Sequence, residues 1–306
     1  ETVTATNLYI DHLVSTIAPL NPDKTQPKPL RGLKIVADCA NGATSVVAPE
    51  ALRRAGAEVL VINASPDGYN INKNAGSTHP EQLQAMVKAT DAVMGVAFDG
   101  DADRCLAVDE DGNMVNGDQI MGILARAKKE AGKLADNTLV VTVMSNLGLK
   151  LALKDMGIKT VQTAVGDRYV LEELKRNGWL FGGESSGHIL ALDRQTTGDG
   201  IVSALQVLSA MRRSGRSLAE LTADLQLLPQ VLVNKRIPAG YDWQNDRDFS
   251  RTVEACRTEV EGRGRVLIRP SGTEPLLRIM VEADDAYLAA ELTSRMAESL
   301  SVEHQA

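Results

Sequence analysis

The sequence predicts an α/β protein: two successive mixed-sheet α/β domains over 1–110 and 111–228, then a smaller α+β C-terminal domain over 229–306. Three observations predict it. Short apolar runs at 33–37 and 58–62 flank a helix-like stretch, the order of a βαβ unit, which requires some parallel sheet. The pattern restarts after Asp111-Gly112, a turn signal between two strand-like runs, and continues for about the same length. Beyond Pro229 the style changes to strand-like runs, a Gly/Pro-punctuated loop and one closing helix.

The elements follow in order. Leu8, Ile10, Leu13, Val14 and Ile17 give a helix over 6–17, and the prolines within 21–29 make that stretch an extended linker. A strand at 33–37 turns through Asn41-Gly42-Ala43 into a helix ending near Gly56, and the strand 58–62 follows. A loop rich in Asn, Gly and Ser spans 65–78, and a helix from Pro80 leads to the strand 92–98. The second unit alternates helices at 119–131, 147–156 and 170–176 with strands at 138–143 and 159–164. Helices at 201–211 and 218–225 close it. The last module reads as strands at 231–237, 265–268 and 276–281 and a helix to about Leu300.

Composition excludes several classes. Of the 306 residues 43% are hydrophobic and 24% charged, too apolar for a disordered chain, yet no run approaches the ~18–20 apolar residues of a membrane span. A net charge of −7, with only Phe 3, Trp 2 and Tyr 5 to stack on bases, argues against nucleic acid as a partner. Cys39, Cys105 and Cys256 are odd in number and far apart, which fits a reducing cytoplasm better than a disulfide framework or a zinc site. No charged-then-apolar leader opens the chain. It begins at Glu1 without a methionine and already in a helical pattern, so sequence upstream is expected.

Three constellations carry chemistry. In Asp99-Gly100-Asp101-Ala102-Asp103-Arg104, alternate carboxylates of an extended segment project to one side, and small residues let the loop close on an ion. Three such carboxylates repel one another unless a cation intervenes, and oxygen ligands favour a hard ion such as Mg²⁺. An EF-hand loop is the rival, since Asp99, Asp101, Asp103 and Glu110 fall at its ligand positions. It fails because Arg104 takes the place of the required glycine and β-like segments flank the loop. In Gly182-Gly183-Glu184-Ser185-Ser186-Gly187-His188, a carboxylate, hydroxyls and an imidazole suit vicinal sugar hydroxyls and proton transfer; a glycine-rich turn with a capping Glu is the plain alternative. In Arg269-Pro270-Ser271-Gly272-Thr273-Glu274-Pro275, followed by Arg278, hydroxyls, exposed N–H groups and two arginines form an anion cradle, against the alternative of a polar inter-strand loop. Metal, polyol and phosphate sites on successive domains imply a phosphosugar enzyme working in a cleft between them.

Together, in this order and spacing, these loops resemble the metal, sugar and phosphate loops of the α-D-phosphohexomutase superfamily. Asn70-Ile71-Asn72, Gly76-Ser77-Thr78-His79-Pro80, Val165-Gly166-Asp167-Arg168-Tyr169-Val170 and Thr196-Thr197-Gly198-Asp199-Gly200 are similar to its bacterial glucosamine-phosphate branch. The resemblance implies interconversion of glucosamine 6-phosphate and glucosamine 1-phosphate on the way to UDP-N-acetylglucosamine. It implies one Mg²⁺ on Asp99, Asp101 and Asp103, a phosphoserine donor, and glucosamine 1,6-bisphosphate as intermediate or activator. By the same resemblance Arg104 steadies the phosphoserine, and Glu184 and Ser186 grip sugar hydroxyls. His188 or the Asp167-Arg168 loop assists proton transfer, and Arg269, Ser271, Gly272, Thr273 and Arg278 anchor the other phosphate. A homodimer is compatible with it. The family's Ser-His-Asn-Pro phosphoserine loop is absent; Ser77, beside His79-Pro80, lacks the Asn. The chain therefore reads as domains two to four of such an enzyme, inactive in turnover by itself. A sister mutase for glucose or mannose phosphates, and a non-catalytic sugar-phosphate-binding module, are the competing readings.

Overall fold

A computed structural model describes residues 2–17, 28–238, 240–272 and 274–300. Most of the linker expected at 21–29 lies outside the described residues, as does Thr273. The described residues of Glu1–Ser145 and Leu149–Gln226 form one compact unit, and those of Asn146–Gly148 and Leu227–Ala306 form another.

The first unit opens with helix α1 (Thr2–Ser15), anchored by the buried Ile10 and Leu13. Strand β1 (Lys34–Asp38), helix α2 (Thr44–Arg54), strand β2 (Glu58–Ile62), helix α3 (Glu81–Thr90) and strand β3 (Met94–Phe98) follow. Strands β4 (Cys105–Val108) and β5 (Met114–Val115) complete a five-stranded sheet of order β2-β1-β3-β4-β5. The first three strands are parallel, and β4 turns back antiparallel on β3. Every residue of β3 is buried, because a strand between helical layers has no solvent face.

Helix α4 (Gly117–Glu130) starts the second sheet's layer behind an Asn116–Gln119 capping box. Strand β6 (Thr138–Thr142), helix α5 (Leu147–Asp155), strand β7 (Lys159–Thr163), helix α6 (Asp167–Asn177) and strands β8 (Phe181–Gly183) and β9 (Ile189–Ala191) come next. The order is β7-β6-β8-β9, with only β9 antiparallel. Helices α7 (Gly200–Ser214) and α8 (Leu218–Thr222) end the unit. Both sheets are mixed, as the sequence predicts.

The other unit is an antiparallel sheet of order β10-β12-β11, built from β10 (Gln230–Arg236), β11 (Gly264–Pro270) and β12 (Leu276–Ala283). Helices α9 (Arg247–Glu259) and α10 (Ala286–Ser299) bury Phe249, Val253, Leu292 and Met296 against Leu277, Ile279 and Val281. Helix α9 and the β8–β9 hairpin are absent from the sequence reading. Among the described residues no helix is long and apolar enough to cross a membrane.

Candidate active site

The acidic loop leaves the C-terminal end of β3, where parallel strands direct their loops to one edge. Its first turn is locked to the turn after β1: the Ala43 N–H donates to the Gly100 carbonyl at 2.9 Å. A Cβ at Gly42 would stand 2.3 Å from that carbonyl oxygen, so only glycine permits the approach. Asp99, Asp101 and Asp103 each place a carboxylate oxygen within 4.8 Å of the others. Burial, reinforced by Asp103 and Asp101, pushes the Asp99 carboxyl up to about 6. Oδ1 of Asp103 is buried without a hydrogen bond among the described residues. Three convergent oxygen donors, one raised in pKa and one unsatisfied, fit a hard divalent cation.

A titration follows from this. Asp99 must release its proton to bind a cation, so affinity for Mn²⁺ should fall about tenfold per pH unit below about 6. The stability effect of the metal-free chain has the opposite sense: a raised carboxyl contributes stability at low pH and loses it as pH rises from about 4 through 6. Calorimetric titration between pH 5 and 7 checks the first. A flat affinity would remove Asp99 from the ligand set.

The second motif forms the tight connection between β8 and β9. His188 is 6% exposed, and its Nδ1 lies 3.1 Å from Oδ2 of Asp103, with Nε2 3.8 Å from Oδ2 of Asp167. A carboxylate can only accept, so with Asp103 ionised Nδ1 is the donor and, in the neutral ring, Nε2 keeps the lone pair. Arg104 and His188 pair as an isolated antiparallel bridge, and the Cys105 N–H donates to the Gly187 carbonyl at 3.1 Å. The acidic and imidazole loops are thus joined by backbone. Arg104 holds the acidic loop twice: its N–H donates to Asp99 Oδ1 at 3.1 Å, and its Nε sits 3.8 Å from Asp99 and Asp103.

Two expectations need correction. Asp167 and Arg168 are not in a loop but in the first turn of α6, and the Arg168 guanidinium is engaged with Glu172 at 2.8 Å, one turn on. Glu184 is partly committed as well: its Oε1 accepts the Gly166 N–H at 3.0 Å and holds the turn that enters α6, the capping role that competed with sugar binding. Ser186 is exposed.

In the other unit Arg269 and Arg278 face each other directly across β11 and β12. Their Nε atoms are buried with no hydrogen-bond partner among the described residues, and burial, then Arg278, holds the Arg269 guanidinium below its usual range. Two half-buried like charges side by side favour an anion between or above them. The turn beside them is closed by the Ser271 N–H on the Leu276 carbonyl at 2.8 Å and the Glu274 N–H on Ser271 Oγ at 3.3 Å. A Cβ at Gly272 would meet nothing within 4 Å, so that backbone is open to a ligand.

Three domain profiles described as phosphoglucomutase/phosphomannomutase match the chain in succession: alpha/beta/alpha domain II at residues 7–112, alpha/beta/alpha domain III at 116–227 and the C-terminal domain at 232–299. The chain belongs to the phosphoglucomutase/phosphomannomutase family. The acidic loop falls within the family's domain II, the 182–188 loop within domain III and the paired arginines within the C-terminal domain. A phosphoglucosamine mutase of Bifidobacterium longum subsp. infantis is 70% identical over 98% of the chain, and one of Saccharopolyspora erythraea is 52% identical over 95%. The chain spans 65% and 63% of the lengths of these two relatives. An N-acetylphosphoglucosamine mutase of Aspergillus fumigatus, solved in complex with GlcNAc-6P and magnesium, shares the fold with a TM-score of 0.76 at 20% identity, covering 95% of this chain and 69% of that one.

Sequence reading of this family member missed one part of the site. Thr196-Thr197-Gly198-Asp199-Gly200 entered only as a point of resemblance, yet it touches both reactive loops. The available signal was an Asp directly before a long apolar helix, the mark of an N-cap.

Proposed function

We propose that the chain supplies the metal, sugar and phosphate sites of a phosphoglucosamine mutase, interconverting glucosamine 6-phosphate and glucosamine 1-phosphate through a phosphoserine and glucosamine 1,6-bisphosphate. The convergence of three carboxylate oxygens within 4.8 Å, beside a buried imidazole, carries the reading. The names of relatives at 52–70% identity support the amino sugar over glucose or mannose. Its place would be the cytoplasm, with UDP-N-acetylglucosamine synthesis consuming the product; the three buried free thiols suit such a compartment.

Asp99, Asp101 and Asp103 would hold Mg²⁺, which when bound offsets charge on the transferring phosphoryl group. Arg104 would contact phosphoryl oxygens, and its backbone N–H donates to Asp99. His188 would take or return a hydroxyl proton at Nε2, which is not bonded to Asp103 and is buried without a hydrogen-bond partner among the described residues. Asp167, 3.8 Å from Nε2, would steady the imidazolium formed, and Arg168, Glu184 and Ser186 would contact the sugar. Arg269 and Arg278, with the Ser271–Gly272–Thr273 backbone, would receive the phosphate that does not react, in either substrate orientation.

Nuclear magnetic resonance titration with glucosamine, glucose and mannose 1-phosphates tests this reading. Glucosamine phosphate should bind best, and Arg269→Ala should weaken it tenfold or more, since a hydrogen bond to a charged group is worth ~1.5–3 kcal/mol. Equal binding by the variant would take Arg269 out of the site. Equal binding of all three sugars would withdraw the amino-sugar assignment.

A further inference from the structure

We infer that Tyr9 is a positioning residue for the acidic cluster, acting through Asp199 from a helix 190 residues away in sequence. The inference rests on reading Asp99, Asp101 and Asp103 as metal ligands. Tyr9 Oη donates to Asp199 Oδ2 at 2.6 Å. The other carboxylate oxygen accepts the Ile201 and Val202 N–H groups at 2.9 and 3.0 Å, capping α7. One oxygen therefore suffices for the cap. The second, on a residue only 7% exposed, has Tyr9 as its hydroxyl donor. Burial and the Asp199 charge raise the phenol's pKa, keeping it a neutral donor throughout the physiological range.

What flanks Asp199 gives this hydrogen bond a destination. A Cβ at Gly198 would stand 2.3 Å from Cε1 of His188, so this backbone lies directly against the imidazole that holds Asp103. The Gly200 N–H donates to the Ala102 carbonyl at 2.9 Å, and a Cβ there would stand 2.4 Å from the Arg104 carbonyl oxygen. The segment 198–200 thus braces Asp103 through its ring partner and through the backbone on both sides. Asp199 lies between the two bracing glycines, and its carboxylate is held on one oxygen by the α7 cap and on the other by Tyr9. Losing the Tyr9 bond therefore loosens the residue that anchors the braces. Helix α1 does not need this bond to dock: Ile10, Leu13 and Ile17 are buried at 2%, 0% and 4% exposure, and Gln206 donates to the Thr16 carbonyl at 3.1 Å.

The experiment compares Tyr9→Phe with Leu13→Ala in the whole chain, reading Mn²⁺ affinity by electron paramagnetic resonance at a temperature where circular dichroism is native. Tyr9→Phe should bind Mn²⁺ about five- to tenfold more weakly. Leu13→Ala, which loosens the docking of α1 without touching Asp199, should lower the melting midpoint more and leave Mn²⁺ affinity within twofold of the parent. Unchanged affinity in Tyr9→Phe overturns the inference, and so does an equal loss in Leu13→Ala, which would reduce Tyr9 to a docking contact. Failure of the unmodified chain to bind Mn²⁺ would instead sink the metal site itself and the positioning role with it.

Discussion

Asp101→Asn should cost the chain on the order of a hundredfold in Mg²⁺ or Mn²⁺ affinity, about 2.7 kcal/mol, while leaving its melting curve in place or raising it. The asymmetry comes from where the three carboxylates sit. Asp99 is buried and accepts the Arg104 N–H, and Asp103 is bound to His188, so replacing either disturbs structure as well as charge. Asp101 is exposed, and its contribution among these groups is repulsion until a cation arrives. Losing one of three anionic ligands removes attraction for the ion and relieves the metal-free loop. Calorimetric titration and a thermal melt on the same two proteins decide it. Parent-like affinity in the variant would show that the acidic turn is merely solvated.

The largest effect on stability should come from Glu282→Ala. Glu282 is 0% exposed next to the last residue of β12, bound by Arg265 at 2.7 and 3.1 Å, and its Oε2 also accepts the Leu147 N–H at 2.9 Å. The Arg265 side chain is itself only 19% exposed. Truncating the acid takes the bidentate partner from the Arg265 guanidinium and the acceptor from the Leu147 N–H, a loss of about 3–5 kcal/mol. Because a buried ion pair gains little over a well-packed apolar one, the double variant Glu282→Met/Arg265→Leu should recover most of that loss. Urea unfolding followed by Trp243, which packs edge-on against Phe249 in the same unit, reports the outcome. A single variant as stable as the parent would mean that the pair is relaxed by water.

What the sequence made legible was local. The acidic loop could be read because its three carboxylates lie within five residues. They converge through a turn, closed by the Ala102 N–H on the Asp99 carbonyl at 3.2 Å and with Ala102 at φ +70°, and not through the alternation of an extended segment that the sequence suggests. The paired arginines could be read as a cradle, though not as cross-strand neighbours, since their register depends on how β11 meets β12. The bond from His188 to Asp103 spans 85 residues and the Tyr9–Asp199 bond 190, and no periodicity encodes either. Among the elements, β8 and β9 escaped because three-residue strands show no period. Helix α9 was legible in principle: Phe249, Val253 and Cys256 fall on one face behind the Asp246 cap. Its dense charge hid that stripe, and a polar helix covering a small sheet is read as a loop.

The backbone bridge between Arg104 and His188 also fixes an order of events during synthesis. The acidic loop leaves the ribosome well before the hairpin and the capped helix that brace it, with Gly200 roughly a hundred residues behind. At about 5–20 residues per second, that separation is roughly 5–20 s. Through that interval β3 and β4 carry three neighbouring carboxylates with no imidazole partner and no brace from the 198–200 segment. The first sheet can collapse on its own helices in that time, but its working edge stays unfinished. The acidic loop is therefore finished only after the second sheet has formed, and a cut between the two α/β layers of the first unit would separate the loop from the residues that brace it.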